Sequence, residues 1–294
     1  MYKNIVTQAI RKPLHKSMDI TADVLRLDMI HPFVSGNKWF KLKYHIRDAL
    51  HQHKKGIITF GGSYSNHLVA TAVACSENKL SSVGIIRGNE TDNPSIRQMK
   101  AAGMKLIFVS REQYKNKDQL ITNYLSSHPQ YYYVPEGGQS EAGIKGAGEI
   151  LDQAKKDYTH IICSVGTGTT LAGLINASKD QQHIIGISAL KVADKNDNEL
   201  LSFLGSATSK HNYELNFDYH FGGYAKKTGG LIDFMNQLYE DEQIPTDFVY
   251  TGKMCYAVFD LVQKNSFREG STLLLIHTGG LQGNRSLPAG TLVF

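Results

Sequence analysis

The stretch HIICSVGTGTTLAG, residues 160–173, decides the fold. Its first six residues form a short apolar run, which is typical of a β-strand buried on both faces. A glycine–threonine turn follows, and an apolar helix continues through Leu174. Backbone N–H groups at a turn between a strand and a helix can bind a phosphate, and glycines let the backbone approach it closely. The stretch therefore predicts a parallel α/β sheet with an anion site at the carboxyl end of one strand.

Short apolar strands and helices alternate along the rest of the chain. The predicted strands are 24–29, 56–60, 81–87, 105–110, one within 130–138, 160–165, 183–190 and 272–277. The predicted helices are 38–51, 65–76, 93–103, the helix through 174, 228–240 and 252–264. Such alternation indicates an α/β fold with mostly parallel sheets covered on both faces. The length of 294 residues indicates two domains or one large one.

Composition and charge exclude several classes of protein. Hydrophobic residues make up 41% of the chain and charged residues 20%, as in ordinary globular proteins. The net charge of +5 comes from scattered basic residues, without the basic stripe of nucleic-acid-binding proteins. No run approaches the roughly 18 apolar residues of a membrane span, and the N-terminal residues lack the apolar core of a signal peptide. We therefore expect a cytoplasmic protein that binds neither nucleic acid nor a membrane.

The cysteines of the chain are Cys75, Cys163 and Cys255, which lie far apart in apolar surroundings. Cysteines in such surroundings are expected to be buried, reduced thiols. The chain has no C-x-x-C pair, so the sequence predicts no metal site.

Three other segments place polar residues or glycines at the ends of predicted elements. Ser35–Lys38 puts a lysine at a helix start, GGSYSNH (61–67) offers a helix cap, and HTGG (277–280) ends a buried strand. Taken singly, these also fit a solvated lysine, an ordinary capped helix and a simple turn. The turn after residue 165 lacks the third glycine of a dinucleotide fingerprint and the Gly-Lys-Ser/Thr of a P-loop. A single phosphate group is the better fit to that turn.

Together these segments resemble one family. Their order and spacing are those of pyridoxal-phosphate (PLP) enzymes of the tryptophan-synthase-β fold, or fold type II. The segments that carry the resemblance are GNKWFKLKY (36–44), GGSYSNH (61–67), PEGGQSEAGIKG (135–146), SVGTGTTLAG (164–173), VYTGK (249–253) and HTGG (277–280). Within that fold the chain resembles D-cysteine desulfhydrases and 1-aminocyclopropane-1-carboxylate (ACC) deaminases, over about residues 20–285.

The resemblance implies a domain organisation. It predicts two open three-layer α/β/α domains, with PLP in the cleft between them. Residues 50–139 would form the small domain, and residues 1–49 with 140–294 would form the large PLP-binding domain. Since dimers are usual in the family, a homodimer is also implied.

The resemblance also implies roles for single residues. Lys38 would hold PLP as a Schiff base, next to Asn37, and Lys41 would bind the cofactor phosphate one helical turn on. The turn that supplies phosphate donors would comprise Gly166, Thr167, Gly168, Thr169 and Thr170. Asn66 would lie beside the cofactor ring. Three side chains would face the substrate and take part in catalysis: Ser65, Tyr224 and Tyr250.

Two threonines separate the subgroups of this family. ACC deaminases carry a glutamate after the second tyrosine and a leucine in the last His-X-Gly-Gly turn, whereas this chain has Thr251 and Thr278, as desulfhydrases do. A hydroxyl can hydrogen-bond to a neutral pyridine nitrogen, but a carboxylate would favour its protonated form and strengthen the electron sink. The threonines therefore favour β-elimination from D-cysteine to pyruvate, ammonia and hydrogen sulfide. Which threonine contacts the nitrogen is left open.

Other functions of the same fold remain as alternatives. They are ACC deamination, deamination or racemisation of serine-like amino acids, and binding of PLP without turnover. The retention of Lys38 with the substrate-facing residues argues for an enzyme that acts on a small amino acid. The chain departs from the family at Trp39 and Phe40, where a small or polar residue and Arg are usual, and at His67, where many members have Gln. These departures concern the substrate more than the cofactor.

Overall fold

The computed structural model describes residues 5–34, 36–196 and 198–294. The chain divides into two compact units: unit 1 comprises Met1–Asn37 and Ala147–Phe294, and unit 2 comprises Lys38–Gly146. The domain limits implied by the family, 50–139 against the rest, stay a prediction.

Strands and helices alternate through most of the described chain. The strands are β1 (Val6–Ala9), β2 (Thr21–Arg26), β3 (Gly56–Gly62), β4 (Ser81–Arg87), β5 (Met104–Val109), β6 (Tyr131–Tyr133), β7 (His160–Val165), β8 (His183–Ser188), β9 (Tyr213–Asn216) and β10 (Thr272–His277). The α-helices are α1 (Asn37–His51), α2 (Asn66–Glu77), α3 (Pro94–Ala101), α4 (Arg111–Lys115), α5 (Lys117–Ser127), α6 (Glu141–Gly148), α7 (Thr169–Ala177), α8 (Glu199–Ala207), α9 (Gly229–Glu242) and α10 (Thr251–Gln263).

Unit 2 is built on a parallel four-stranded sheet in the order β5-β4-β3-β6. Its strands are short apolar runs, so both faces must be covered. On one face, Phe60 and Ile85 pack with Tyr114 and Ile121 from α4 and α5. On the other face, residues of α2 and α3 pack against β4 and β5 around Ile86. The result is three layers, helix–sheet–helix.

Unit 1 is built on a six-stranded sheet in the order β1-β2-β10-β7-β8-β9. Only the pairing of β1 with β2 is antiparallel among the pairs found in the described residues; the rest are parallel. Helices α9 and α10 cover one face, where Leu238, Met254 and Val258 pack on residues of β7 and β10. A mixed α/β fold with mostly parallel sheets, as predicted, is confirmed.

Most predicted strands agree with the structure, and β4, β7 and β10 each contain five consecutive buried residues. The strand predicted at 24–29 instead covers Thr21–Arg26, because Leu27–Met29 turn into a short 3-10 helix. Six elements were not predicted: β1, β9, α4, α5, α6 and α8.

The three cysteines are buried thiols, as predicted, and burial raises the pKa of Cys75 and of Cys255 to about 12. Across the part of the chain that the structure describes, no helix combines the length and the apolar character that a membrane crossing requires.

Candidate active site

In unit 2, helix α1 carries two of the predicted cofactor residues in its first two turns. Lys38 is half-buried and follows Asn37 at the helix start. Lys41 is 3% exposed, and its Nζ donates a hydrogen bond to the carbonyl oxygen of Gly137 at 3.1 Å. A buried ammonium needs such oxygen acceptors because it has lost its hydration. Ser35, the first residue of the predicted turn, lies outside the described residues.

Two buried histidines lie near these lysines. Burial and the charges of Lys38 and Lys41 lower the pKa of His67 well below its usual value, and its Nε2 lies 2.9 Å from the Thr59 hydroxyl. Burial lowers the pKa of His45 to about 4, and its Nε2 lies 2.8 Å from the Ser140 hydroxyl. Both imidazoles are therefore neutral near pH 7, and the positive charge of this region comes from the lysines.

The turn between β3 and α2 presents Ser65 and Asn66. The Ser65 hydroxyl caps α2 by accepting a hydrogen bond from the Leu68 N–H at 3.3 Å. A side chain at Gly61 would lie 2.6 Å from that hydroxyl, so glycine is needed there. The buried Oδ1 atom of Asn66 has no hydrogen-bond partner among the described residues. Because buried polar atoms are nearly always paired, this amide is available to a bound group.

In unit 1, the turn between β7 and α7 has the form of an anion site. Gly168 precedes α7 with φ of 84°, and no side chain caps the helix there. The N–H groups of the first helical turn thus meet no capping side chain and can bind an anion. The hydroxyls of Thr167 and Thr169 lie 3.1 Å apart at the same turn. These are the donors that a phosphate group requires.

The start of α1, the turn after β7 and the end of β10 meet within unit 1. The Asn37 amide donates a hydrogen bond to the Thr170 hydroxyl at 2.8 Å. Gly36 has φ of 68°, and a side chain there would lie 1.8 Å from the Thr278 carbonyl oxygen. The Thr278 hydroxyl lies 3.1 Å from that of Ser164. Three residues predicted from separate motifs, Asn37, Thr170 and Thr278, are therefore brought together.

The two predicted tyrosines are neighbours. The rings of Tyr224 and Tyr250 lie 6.0 Å apart, centroid to centroid, at an interplanar angle of 69°. A side chain on Gly166 would come within 3.1 Å of the Tyr250 hydroxyl, so this phenol lies against the predicted phosphate turn. Tyr224 is 51% exposed. The structure thus pairs the two predicted tyrosines and places the Tyr250 phenol at the turn.

The Thr251 hydroxyl, in contrast, is engaged within the protein by Asp247. It is fully buried, donates to the Asp247 carboxylate at 2.7 Å and accepts from the Asp247 N–H at 2.8 Å. A hydroxyl has one proton to donate, and that proton is engaged by the carboxylate. Of the two threonines that were left open, the geometry favours Thr278 as the one that offers a hydroxyl to a bound group.

Asp247 itself was not predicted. Its buried carboxylate accepts hydrogen bonds of 2.9 Å from the backbone N–H groups of Val249, Tyr250 and Thr251. An Asp shortly before a helix start commonly caps the backbone in this way, and that signal is present in the segment TDFVYT (246–251). The residue therefore fixes the chain that carries Tyr250.

A lysine at a helix start, an anion-binding glycine turn and an unpartnered buried amide suit a phosphorylated carbonyl cofactor. These groups fit PLP, which needs an amine, a phosphate site and polar contacts to its ring; the unpartnered atom of Asn66 is an acceptor oxygen. The chain matches the family model for "Pyridoxal-phosphate dependent enzyme" over residues 10–279, and it belongs to this family of PLP-dependent enzymes.

Relatives and solved structures agree with this family. A Pyrococcus horikoshii protein provisionally named a 1-aminocyclopropane-1-carboxylate deaminase is 28% identical over 91% of this chain and 87% of its own length. The "Bifunctional D-cysteine desulfhydrase/1-aminocyclopropane-1-carboxylate deaminase, mitochondrial" of Arabidopsis thaliana is 28% identical over 85% of this chain and 70% of its own. A crystal structure of an ACC deaminase homologue superposes with a TM-score of 0.84 at 26% identity, covering 96% of this chain and 91% of that one.

Proposed function

We propose that this protein is a PLP-dependent lyase that removes the β-substituent of a small amino acid, and that D-cysteine is converted to pyruvate, ammonia and hydrogen sulfide. One observation carries the choice of reaction: the Thr278 hydroxyl lies 3.1 Å from the Ser164 hydroxyl at the end of β10, where ACC deaminases would have leucine. The names of the relatives support a small amino acid as the substrate class.

The residues proposed to hold the cofactor are those that the family resemblance implies. In unit 2, Lys38 would bind PLP covalently, Lys41 would contact its phosphate, and Asn66 would lie beside its ring. In unit 1, the turn Gly166–Thr170 would donate N–H groups to the phosphate, with Asn37 holding the Thr170 side chain in place. Thr278 would offer its hydroxyl to the pyridine nitrogen. When bound, PLP supplies an electron sink for the electrons left at Cα.

The remaining steps belong to side chains of the chain. The Lys38 amine would remove the Cα proton of the substrate. Ser65, at the N-terminus of α2, would contact the substrate carboxylate, where the helix dipole favours negative charge. Tyr224 and Tyr250 would face the substrate side chain, and a phenol there can give a proton to the leaving sulfur. Elimination fits a hydroxyl at the nitrogen because the leaving thiol carries the electrons away from the ring.

ACC deamination is the second candidate, because the relatives bear that name. Opening the cyclopropane ring expels no heteroatom leaving group, so more charge would reach the cofactor. A hydroxyl partner at the pyridine nitrogen supports that charge less well than a carboxylate would. We therefore rank ACC below D-cysteine.

The test is a comparison of four substrates. PLP-loaded protein is incubated with D-cysteine, L-cysteine, D-serine and ACC, and pyruvate is measured for each. We expect pyruvate and an equal amount of sulfide from D-cysteine, with the Lys38→Ala variant as the blank in every reaction. Pyruvate from ACC but not from D-cysteine would overturn the choice of reaction and the argument from the threonines.

We also propose a cytoplasmic homodimer as the working form. The buried thiols support a reducing compartment, since disulfides are rare there. The dimer rests on the family resemblance, and analytical ultracentrifugation of the PLP-loaded protein measures it directly.

A further inference from the structure

Lys253, in the first turn of α10, is a buried charged residue that the proposed function does not use. Its side chain is 1% exposed, and burial lowers its pKa to about 8 although Asp247 acts in the opposite direction. A positive charge is unfavourable at a helix N-terminus, and a buried ammonium costs several kcal/mol unless it is well paired. Lys253 therefore destabilises α10 itself. Any stabilising contribution has to come from the hydrogen-bond partners of its ammonium group.

Those partners are two carbonyl oxygens of one turn. Lys253 Nζ donates a hydrogen bond of 2.8 Å to His220 and another of 2.8 Å to Gly223. Gly223 immediately precedes Tyr224. Hydrogen bonds from a charged donor are about twice as strong as neutral ones. The two hydrogen bonds from Lys253 should therefore restrain the turn more strongly than a neutral donor would.

The backbone of this turn needs such a tie. Four of its residues have positive φ: Phe221 at 50°, Gly222 at 93°, Gly223 at 116° and Ala225 at 54°. For the residues other than glycine this conformation costs free energy and persists only where neighbouring contacts impose it. The turn also carries Tyr224, which is 51% exposed.

The same stretch of α10 fixes the second tyrosine. The Tyr250 N–H donates to the Asp247 carboxylate at 2.9 Å, three positions before Lys253. The lysine thus connects the segment that holds Tyr250 to the turn that holds Tyr224. The two rings meet at 6.0 Å.

We propose that Lys253 is a positioning residue that sets the spacing of the Tyr224–Tyr250 pair by tying the Tyr224 turn to the start of α10. The inference rests on the proposed function for the substrate-facing role of the two phenols. It predicts that Lys253 affects turnover only through Tyr224. It also predicts that Lys253 restrains the turn, and this part can be tested without knowing the substrate.

The experiment compares Lys253→Met with Lys253→Gln, which keeps one possible donor, and with Lys210→Met as the matched control. Lys210 also donates to a backbone carbonyl of unit 1, that of Ser178, but away from the tyrosines. Hydrogen exchange is measured by mass spectrometry on PLP-loaded proteins, for peptides covering residues 220–226 and, as reference, residues 272–277. In parallel, pyruvate release from D-cysteine is measured for Lys253→Met, Tyr224→Phe and the double variant.

In Lys253→Met we expect exchange in 220–226 to accelerate at least about tenfold, with the reference peptide unchanged. Lys253→Gln should lie between it and the unaltered protein, and Lys210→Met should match the unaltered protein. We expect kcat/KM to fall about 10- to 100-fold in Lys253→Met. The same substitution should have no further effect once Tyr224 is Phe. If Lys253→Met does not fold, Lys253→Gln takes its place under the same criteria.

Three results would overturn the proposal. Unchanged exchange in 220–226 would mean that Lys253 does not hold the turn. Equal acceleration in the reference peptide would mean a general loss of stability. Independent, multiplying effects of Lys253→Met and Tyr224→Phe would mean that the lysine does not act through the tyrosine. If the unaltered protein released no pyruvate, only the proposed function would be refuted. The hydrogen-exchange result would still decide whether Lys253 anchors the turn.

Discussion

Two turns of the molecule begin alike and end differently. In unit 2, β3 leads through GGSYSN into α2, and in unit 1, β7 leads through GTGTT into α7. Ser65 caps α2 with its side chain, whereas Gly168 precedes α7 in the left-handed region without a side-chain cap. The first turn therefore offers side chains to a ligand, and the second offers backbone N–H groups. Glycine-rich turns of similar appearance can thus offer a ligand different kinds of group.

The largest expected effect of a substitution on this comparison is at Lys38. In the proposed function the chemistry of unit 2 rests on side chains, so Lys38→Ala should reduce pyruvate release by at least about 10³-fold, because it would remove both the proposed covalent bond to PLP and the proposed base. The bound-PLP absorbance should shift at the same time. Lys43→Ala, on the exposed side of the same helix, is the control and should keep full activity. Full turnover in Lys38→Ala would refute the assignment.

In unit 1 the anion site rests on backbone conformation, which makes Gly168 its sensitive point. Gly168→Ala places a methyl group 2.6 Å from Leu200 at φ of 84°. We expect a loss of about 3 kcal/mol from strain and overpacking, seen as weaker PLP binding and a lower melting temperature. Gly230→Ala, in helix α9 with open space around the new methyl group, should leave both unchanged. Unaltered PLP affinity in Gly168→Ala would argue against the turn as the phosphate site.

A buried histidine of unit 2 should make the stability of the protein depend on pH. His45 has a folded pKa of about 4 against a usual 6.5, so the fold holds it neutral. Its contribution to stability is present above pH 6.5 and is lost as the pH falls toward 4. Between pH 6.5 and 5 the free energy of unfolding should fall by about 2 kcal/mol through His45 alone.

Urea denaturation at both pH values measures this loss. His45→Gln should remove that part of the pH dependence, and His51→Gln, exposed on the same helix, should keep it. His160, whose pKa is also lowered to about 4 by burial, should retain its own share in both variants. An identical pH dependence in His45→Gln and the unaltered protein would contradict the expectation.

The smallest expected change in stability separates capping from catalysis at Ser65. Ser65→Ala removes the cap of α2 and should cost about 1 kcal/mol of stability. Ser110→Ala removes the cap of α4, where the serine is part of a capping box, and should cost a similar amount. Only Ser65→Ala should also lower kcat/KM for D-cysteine. Equal activity of the two variants would leave Ser65 as a cap and nothing more.

The elements predicted best from the sequence are those whose conformation is determined by their own residues. Strands β4, β7 and β10 are rich in Val, Ile or Leu, and each has five consecutive buried residues, as that composition predicts. The unpredicted β9, with sequence YELN, lies at the sheet edge and is only partly buried, so no apolar run announces it. Its strand conformation comes from pairing with β8, which no local pattern records.

The candidate site shows the same division. Asn37, Thr170 and Thr278 could be predicted because each sits in a recognisable motif, although their contacts join distant parts of the chain. Lys253 also ends a motif, VYTGK, but its burial could not be predicted, because a lysine in a sequence is expected to be solvated. Its burial depends on two carbonyl oxygens that come close only through the turn before Tyr224.

The contact between Gly36 and the Thr278 carbonyl has a consequence for the order of events during synthesis. Gly36 precedes the lysine helix, whereas Thr278 follows β10, which pairs with β2 in the middle of the sheet. Because a ribosome delivers the chain from its N-terminus, Gly36 leaves the exit tunnel long before β10 and Thr278. The contact can therefore form only after the late strand has docked, and it depends on the slow pairing of residues far apart in sequence.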